Sequence, residues 1–189
     1  MMKLFKNEDA FTGLEAAIVL IAFVVVAAVF SYVMLGAGFF ATGEAQKVVH
    51  TGSQQASSSL EIIGNVYGHA SSTTKLDSIE FTVGNTAGGT PIDISQMLVT
   101  FTSGTESEVI TYKEGNPTVG EWAVIEKYNP VTENNLLEPG EQFVLKIVFP
   151  TNAELKPNTP FSVNLQPAVG AVYPIKKTVP AYLNTVNTL

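Results

Sequence analysis

Neither cysteine nor arginine occurs in the 189 residues, and histidine occurs only twice. Without cysteine there is no disulfide framework and no thiol chemistry, so a location outside the cell must be withstood by packing and backbone hydrogen bonds alone. The ten basic residues are all lysine and are outnumbered by seventeen acidic ones, a net charge of −7 that opposes binding to nucleic acid or anionic head groups. N-glycosylation sequons are missing too: the nearest approach, Asn116-Pro117-Thr118, is disqualified by its proline. Catalytic signatures are equally scarce, with no His-Glu-x-x-His, Walker A run, Gly-x-Ser-x-Gly or Gly-x-Gly-x-x-Gly. His50 and His69 are too isolated to form a pair. The acidic pairs Glu106/Glu108 and Asp77/Glu80 match no EF-hand spacing and read as solvated strand edges. An enzyme is not expected, nor is a cofactor or a metal.

What the chain has in abundance is one hydrophobic run, uncharged from Ala16 to Gly43 and followed by no second run of comparable length. A multi-span transporter is thereby excluded. The apolar residues occupy the full circumference of a helix, so the segment needs apolar surroundings on every side. Its roughly 28 residues at about 1.5 Å each give about 40 Å, enough to cross a hydrocarbon layer of about 30 Å. Residues 1–10 form a short polar leader with two lysines and no apolar centre, which differs from a secretory signal whose apolar region precedes the cut. Cleavage between Ala10 and Phe11 would leave the hydrophobic helix as the extreme N-terminus of the mature protein. Glu15, a lone carboxylate at the mouth of the run, has two readings. It is either a helix-end acid favoured by the N-terminal dipole, or a partner for the new α-amino group of Phe11, in the same subunit or its neighbour; we favour the second.

After Glu44 the spacing turns amphipathic through Val48, Val49, Ala56, Leu60, Ile62 and Ile63, and predicts one helix spanning residues 11–64. The polar break Ser71-Ser72-Thr73-Thr74 marks a boundary, with a second domain over residues 75–189. There, alternation predicts strands at 78–84, 92–102, 108–113, 121–128, 141–149, 161–166 and 171–179, separated by Gly, Pro and Asn clusters. Phe143, Leu145, Ile147 and Phe149 form one inward-facing set, and Met97, Val99 and Phe101 another. Seven short strands without intervening helices suggest an immunoglobulin-like antiparallel sandwich, making the whole chain α+β. Trp122 and Tyr128 read as plain core packing, with groove lining as the alternative.

The stretch Phe11-Thr12-Gly13-Leu14-Glu15-Ala16-Ala17-Ile18-Val19-Leu20 resembles the N-terminal signature of the archaeal flagellins, or archaellins. Leu137-Glu138-Pro139-Gly140-Glu141-Gln142-Phe143, Pro167-Ala168-Val169-Gly170-Ala171 and Thr178-Val179-Pro180 are similar to segments recurring in the same family. The resemblance implies a precursor cut at Ala10-Phe11 by a prepilin-peptidase-like membrane protease, with Gly13 and Glu15 at the third and fifth mature positions. It further implies addition to a growing filament by a membrane assembly platform and a motor ATPase, with the membrane as a partner only before assembly. The subunit would then lie outside the cell, in a rotating helical homopolymer whose core is the helix bearing Leu14, Ile18, Leu20, Ile21, Phe23, Val25, Val29, Phe30, Tyr32 and Leu35. The family departs from this chain at one point: Gly is frequent immediately before the cut, in a more basic leader, where Ala10 here follows Glu8 and Asp9. A type IV adhesion pilin, or an uncut membrane-anchored sandwich that binds a ligand, are the alternatives.

Overall fold

The computed structural model describes the backbone of residues 5–57, 59–86, 89–104 and 106–189, and the helical side chains from Gly13 onward except 54, 56 and 57. The chain divides into two compact units, Met1–His50 and Thr51–Leu189. The first is helical, and its helix α1 runs over Phe5–Ser57. Residues 1–4 of the expected leader lie outside the described residues, as do the side chains of Ala10 and Phe11.

The helix expected to reach Gly64 stops at Ser57, and Leu60–His69 is instead the first strand, β1. Past the stop, the Ser59 hydroxyl donates to the Leu60 carbonyl (3.4 Å), a local bond of the kind that competes with helix. Beyond Ser59, what looked like an amphipathic continuation is a period of two in which Leu60 and Val66 are buried. Gly64 takes φ +83°, reached without penalty only by glycine, and marks an irregularity in register between Ile63 and Tyr67. The polar break at residues 71–74 is therefore a turn inside the β-domain, not its edge. Ser71 anchors it, donating its backbone N–H to Asp77 Oδ2 at 2.6 Å and its hydroxyl to the same oxygen.

The remaining strands are β2 (Ser78–Asn85), β3 (Ile92–Asp93), β4 (Leu98–Ser103), β5 (Glu106–Tyr112), β6 (Glu121–Tyr128), β7 (Leu136–Leu137), β8 (Gln142–Val148), β9 (Pro160–Gln166), β10 (Tyr173–Thr178) and β11 (Val186–Thr188). Nine of the strands form a sheet in the order β10-β9-β4-β5-β6-β8-β2-β1-β11, and β3 pairs with β7. Among the described residues, every strand pairing is antiparallel except β5–β6, which is parallel and holds at two positions, Thr111–Glu121 and Tyr112–Trp122. That short junction joins a four-stranded half to a five-stranded half, and both halves feed one core. Phe149, just past β8, touches Phe101 of β4 and Phe161 of β9 with ring centroids 5.0 and 5.6 Å apart, which ties the halves together.

Both inward-facing sets read from the sequence are buried, and register places Ile79 opposite Ile147, Phe81 opposite Leu145 and Val83 opposite Phe143. Trp122 is fully buried against Tyr112, whereas Tyr128 is a surface residue whose hydroxyl donates to Glu126 at 2.8 Å. The single strand expected over 92–102 is broken in two by a 3-10 turn at Ile94–Gln96. Asp93 causes the break: its carboxylate accepts from the Ser95 backbone N–H (3.0 Å), the Ser95 hydroxyl (2.6 Å) and the Gln96 amide (2.8 Å). Strand β10 is an edge, and Val179 N–H donating to the Thr159 carbonyl sets the phase of its pairing with β9. Pro174, Lys176 and Thr178 consequently turn their backbone groups away from β9, toward the open side.

Two further carboxylates hold turns. Glu141 is almost fully buried after the turn formed by Glu138, Pro139 and Gly140, and its oxygens accept the backbone N–H groups of Val131 (2.5 Å) and Glu138 (2.9 Å). Replacing Glu141 by Ala removes the acceptor of two part-buried donors and should cost about 1–3 kcal/mol, with Gln recovering about half; chemical denaturation followed by Trp122 fluorescence checks this. Glu121 lies at the start of β6, where hydrogen bonds from the Thr118 hydroxyl, from Lys113 and from the Thr118 backbone hold its pKa down from 4.5 to about 2. A depressed carboxylate stabilises the fold above its unfolded value and loses that contribution as pH falls through the folded one. Glu121→Gln should accordingly flatten the fall in stability between pH 4.5 and 2 seen in acid titrations of the native chain, and less so at high salt.

Candidate assembly surface

The stretch Gly13–Ser53 of α1 is 41 residues long, and its most apolar window has a mean hydropathy of 2.9. At 1.5 Å per residue it extends about 60 Å, roughly twice the thickness of a hydrocarbon layer. Leu14, Ile18, Leu20, Ile21, Phe23, Val25, Val29, Phe30, Tyr32 and Leu35 are each 55–80% exposed, so none is covered by its own chain. The side chains lie on all sides of the helix, and no polar stripe offers a face for water. Thr42 removes its own polarity from this surface: its hydroxyl donates to the carbonyls of Gly38 (2.8 Å) and Phe39 (3.0 Å) one turn back. A Cβ added at Gly13, Gly36, Gly38 or Gly43 would meet nothing within 4 Å, so packing inside the chain does not require glycine there.

Glu15 borders a shallow apolar groove lined by Ala16, Val19, Leu20 and Phe23. The helix begins at Phe5, about 15 Å upstream of Glu15, while Phe11 precedes Glu15 by four residues, about one turn. Among the other titratable residues singled out from the sequence, His69 and Glu80 are brought together as neighbours on β1 and β2. His69 Nε2 lies 3.3 Å from Glu80 Oε2, Asp77 is engaged by Ser71, and Glu106 and Glu108 stand exposed on β5 opposite Ser103 and Phe101. Among the described residues, no three His, Cys, Asp or Glu side chains cluster closely enough to hold a metal ion.

Sequence reasoning missed the buried amides that close the β-domain. Asn85 Nδ2 donates to the carbonyls of Thr90 (2.8 Å) and Leu137 (3.1 Å), and Asn187 Nδ2 to those of Asn184 (2.7 Å) and Gly68 (3.3 Å). Asn and Asp at strand ends were a signal that could have found them, but an exposed turn residue carries the same signal.

The archaeal-type flagellin family matches residues 10–177, most of the chain. This protein is an archaeal-type flagellin. A probable flagellin of Archaeoglobus fulgidus is 38% identical over 199 aligned positions that take in all of this chain and 98% of that one. A 32-residue sequence of the 24 kDa flagellin of Methanospirillum hungatei is matched in full at 97% identity, over 17% of this chain. Among solved structures, the archaeal flagellum of Methanospirillum hungatei strain JF1 superposes with a TM-score of 0.73 at 34% identity, covering 94% of this flagellin and 99% of that chain. A crystal structure of an archaeal flagellin from Methanocaldococcus jannaschii shares the fold, with a TM-score of 0.57 at 24% identity over 69% of this chain and 96% of the other. The flagellin is thus a structural subunit of the archaeal flagellum, or archaellum, with a long apolar helix and an antiparallel-rich β-domain.

Because Phe23 is 76% exposed on α1, Phe23→Ala should leave unfolding of the β-domain in detergent micelles within about 0.5 kcal/mol of the parent. Phe81→Ala, by contrast, empties a core position and should cost about 3–5 kcal/mol in the same Trp122 fluorescence assay.

Proposed function

We propose that the precursor of this flagellin resides in the membrane through α1, is cut between Ala10 and Phe11 by a prepilin-peptidase-like protease, and enters a filament whose core is a bundle of identical helices. The observation that carries this reading is the all-round exposure of the apolar helix in the isolated subunit. Extraction into water would forfeit about 1.5–3 kcal/mol for each Val, Leu, Ile or Phe, tens of kcal/mol over the segment. Lipid and a bundle of like helices are both apolar, so transfer between them avoids that cost. The energy source for directed assembly is a motor ATPase acting through a membrane platform. Heterologous contacts that do not close build the helical polymer, the β-domains form its outer layer outside the cell, and turning the polymer propels the cell.

Cleavage also changes the surroundings of Glu15. In the precursor it sits well inside a helix that starts at Phe5. In the mature chain it becomes the fifth residue, one turn from a fresh α-amino group and inside the positive end of the helix dipole. The pair, formed within a subunit or between neighbours, neutralises the one acid that would otherwise be buried among apolar helices. Leu14, Ile18, Leu20, Ile21, Phe23, Val25, Val29, Phe30, Tyr32 and Leu35 supply the bundle contacts.

Mass spectrometry of subunits from purified filaments should show a mature chain beginning at Phe11; an intact Met1 in the polymer overturns the processing scheme. Glu15→Val should leave the β-domain folded but lower filament yield at least about tenfold, since it strands the α-amino group without its partner. Normal yield from that variant would remove Glu15 from assembly.

A further inference from the structure

The connection between β9 and β10 reads Pro167-Ala168-Val169-Gly170-Ala171-Val172, in which no side chain carries a charge or a hydrogen-bonding group. Ala168, Val169, Ala171 and Val172 are nevertheless exposed, the two valines by about half. Strand connections at a protein surface are ordinarily built from polar and turn-forming residues. The β8–β9 connection of this domain follows that habit, with Thr151, Asn152, Glu154, Lys156, Asn158 and Thr159. Beside the apolar tip, Leu98 is 45% exposed and pairs with Gln166, the last residue before it. Gly170, at φ +119°, allows the sharp return that presents the tip.

A run of pairings connects this tip to the place where the chain enters the β-domain. Leu60 pairs with Asn85, Asn85 donates to the carbonyl of Leu137, and Leu137 pairs with Ile92. From Ile92 the chain reaches Leu98 within six residues, through the turn at Ile94–Gln96. Leu60 itself follows the end of α1 by three residues.

We propose that residues 167–172 form a second assembly contact, docking on the helix α1 of a neighbouring copy at its last uncharged turns before Glu44. There Met34, Leu35, Gly38 and Phe39 line a shallow groove in which Gly38 presents no side chain. The small residues of the tip suit such a groove, and neither surface holds a charge that burial would have to dehydrate. A second copy is the occupant because the helix surface is the one that assembly already buries, and the tip extends that same interface from bundle to outer layer. The inference rests on the filament reading above.

The absence of cysteine makes the test direct. Val169→Cys and Phe39→Cys are placed in separate chains, co-assembled and mildly oxidised, so that any disulfide-linked pair joins two copies. Linked pairs should form with about tenfold higher yield than when Asn152→Cys, in the polar β8–β9 connection, replaces Val169→Cys. In parallel, Val169→Asp should lower the temperature at which filaments dissociate while leaving unfolding of the β-domain unchanged. Equal cross-linking with the Asn152 control, or unaltered dissociation of Val169→Asp filaments, overturns the contact and leaves the filament reading standing. A native chain that never polymerises overturns both.

Discussion

An apolar cylinder without a polar face cannot be satisfied by the chain that carries it. An amphipathic helix finds its partner in its own domain and leaves the other face to water. Here every described side chain from Gly13 to Thr51 is exposed, and the complement of that surface must come from lipid or from other copies. The requirement is independent of which neighbour meets it. It makes the isolated subunit an incomplete object, and polymerisation the step that completes its burial.

The β-domain obeys the opposite rule. Its core is contributed by both halves of one sheet, its turns are tied by Asp77, Asp93, Glu121 and Glu141, and its terminal strand is fastened by Asn187. A subunit divided this way can change the surroundings of its helix while the β-domain stays folded, which suits a subunit of a filament.

The sequence was most legible where period alone decides structure. Continuous apolarity over 28 residues specified α1, and strict alternation in Phe143, Leu145 and Ile147 specified a strand with one buried face. It was least legible where local and distant forces compete. Leu60, Ile62 and Ile63 satisfy a helical spacing as well as a strand spacing, and only pairing with β2 settles the matter. The pairs β3–β7 and β1–β11 are two and three residues long, too short for any pattern, and depend on partners far along the chain. Residues 92–102 are apolar enough for one strand, yet Asp93 offers three nearby donors a stronger bargain. Of the assembly surface, the helix was readable from its apolarity; the tip at residues 167–172 was recognisable as a recurring segment but not as a surface, because exposure is not written in composition.

The edge strand β10 shapes what can happen when many such domains are held side by side. Pro174 has no N–H to offer on the open side, and Lys176 adds a positive charge at the next outward position. An identical strand approaching β10 from a neighbour would meet a missing donor and like charge, which opposes edge-to-edge pairing at this side of the sheet. A filament holds its subunits at extreme local concentration, where an open strand edge is a hazard. One imino acid and one ammonium group make this edge a poor place for such pairing to begin.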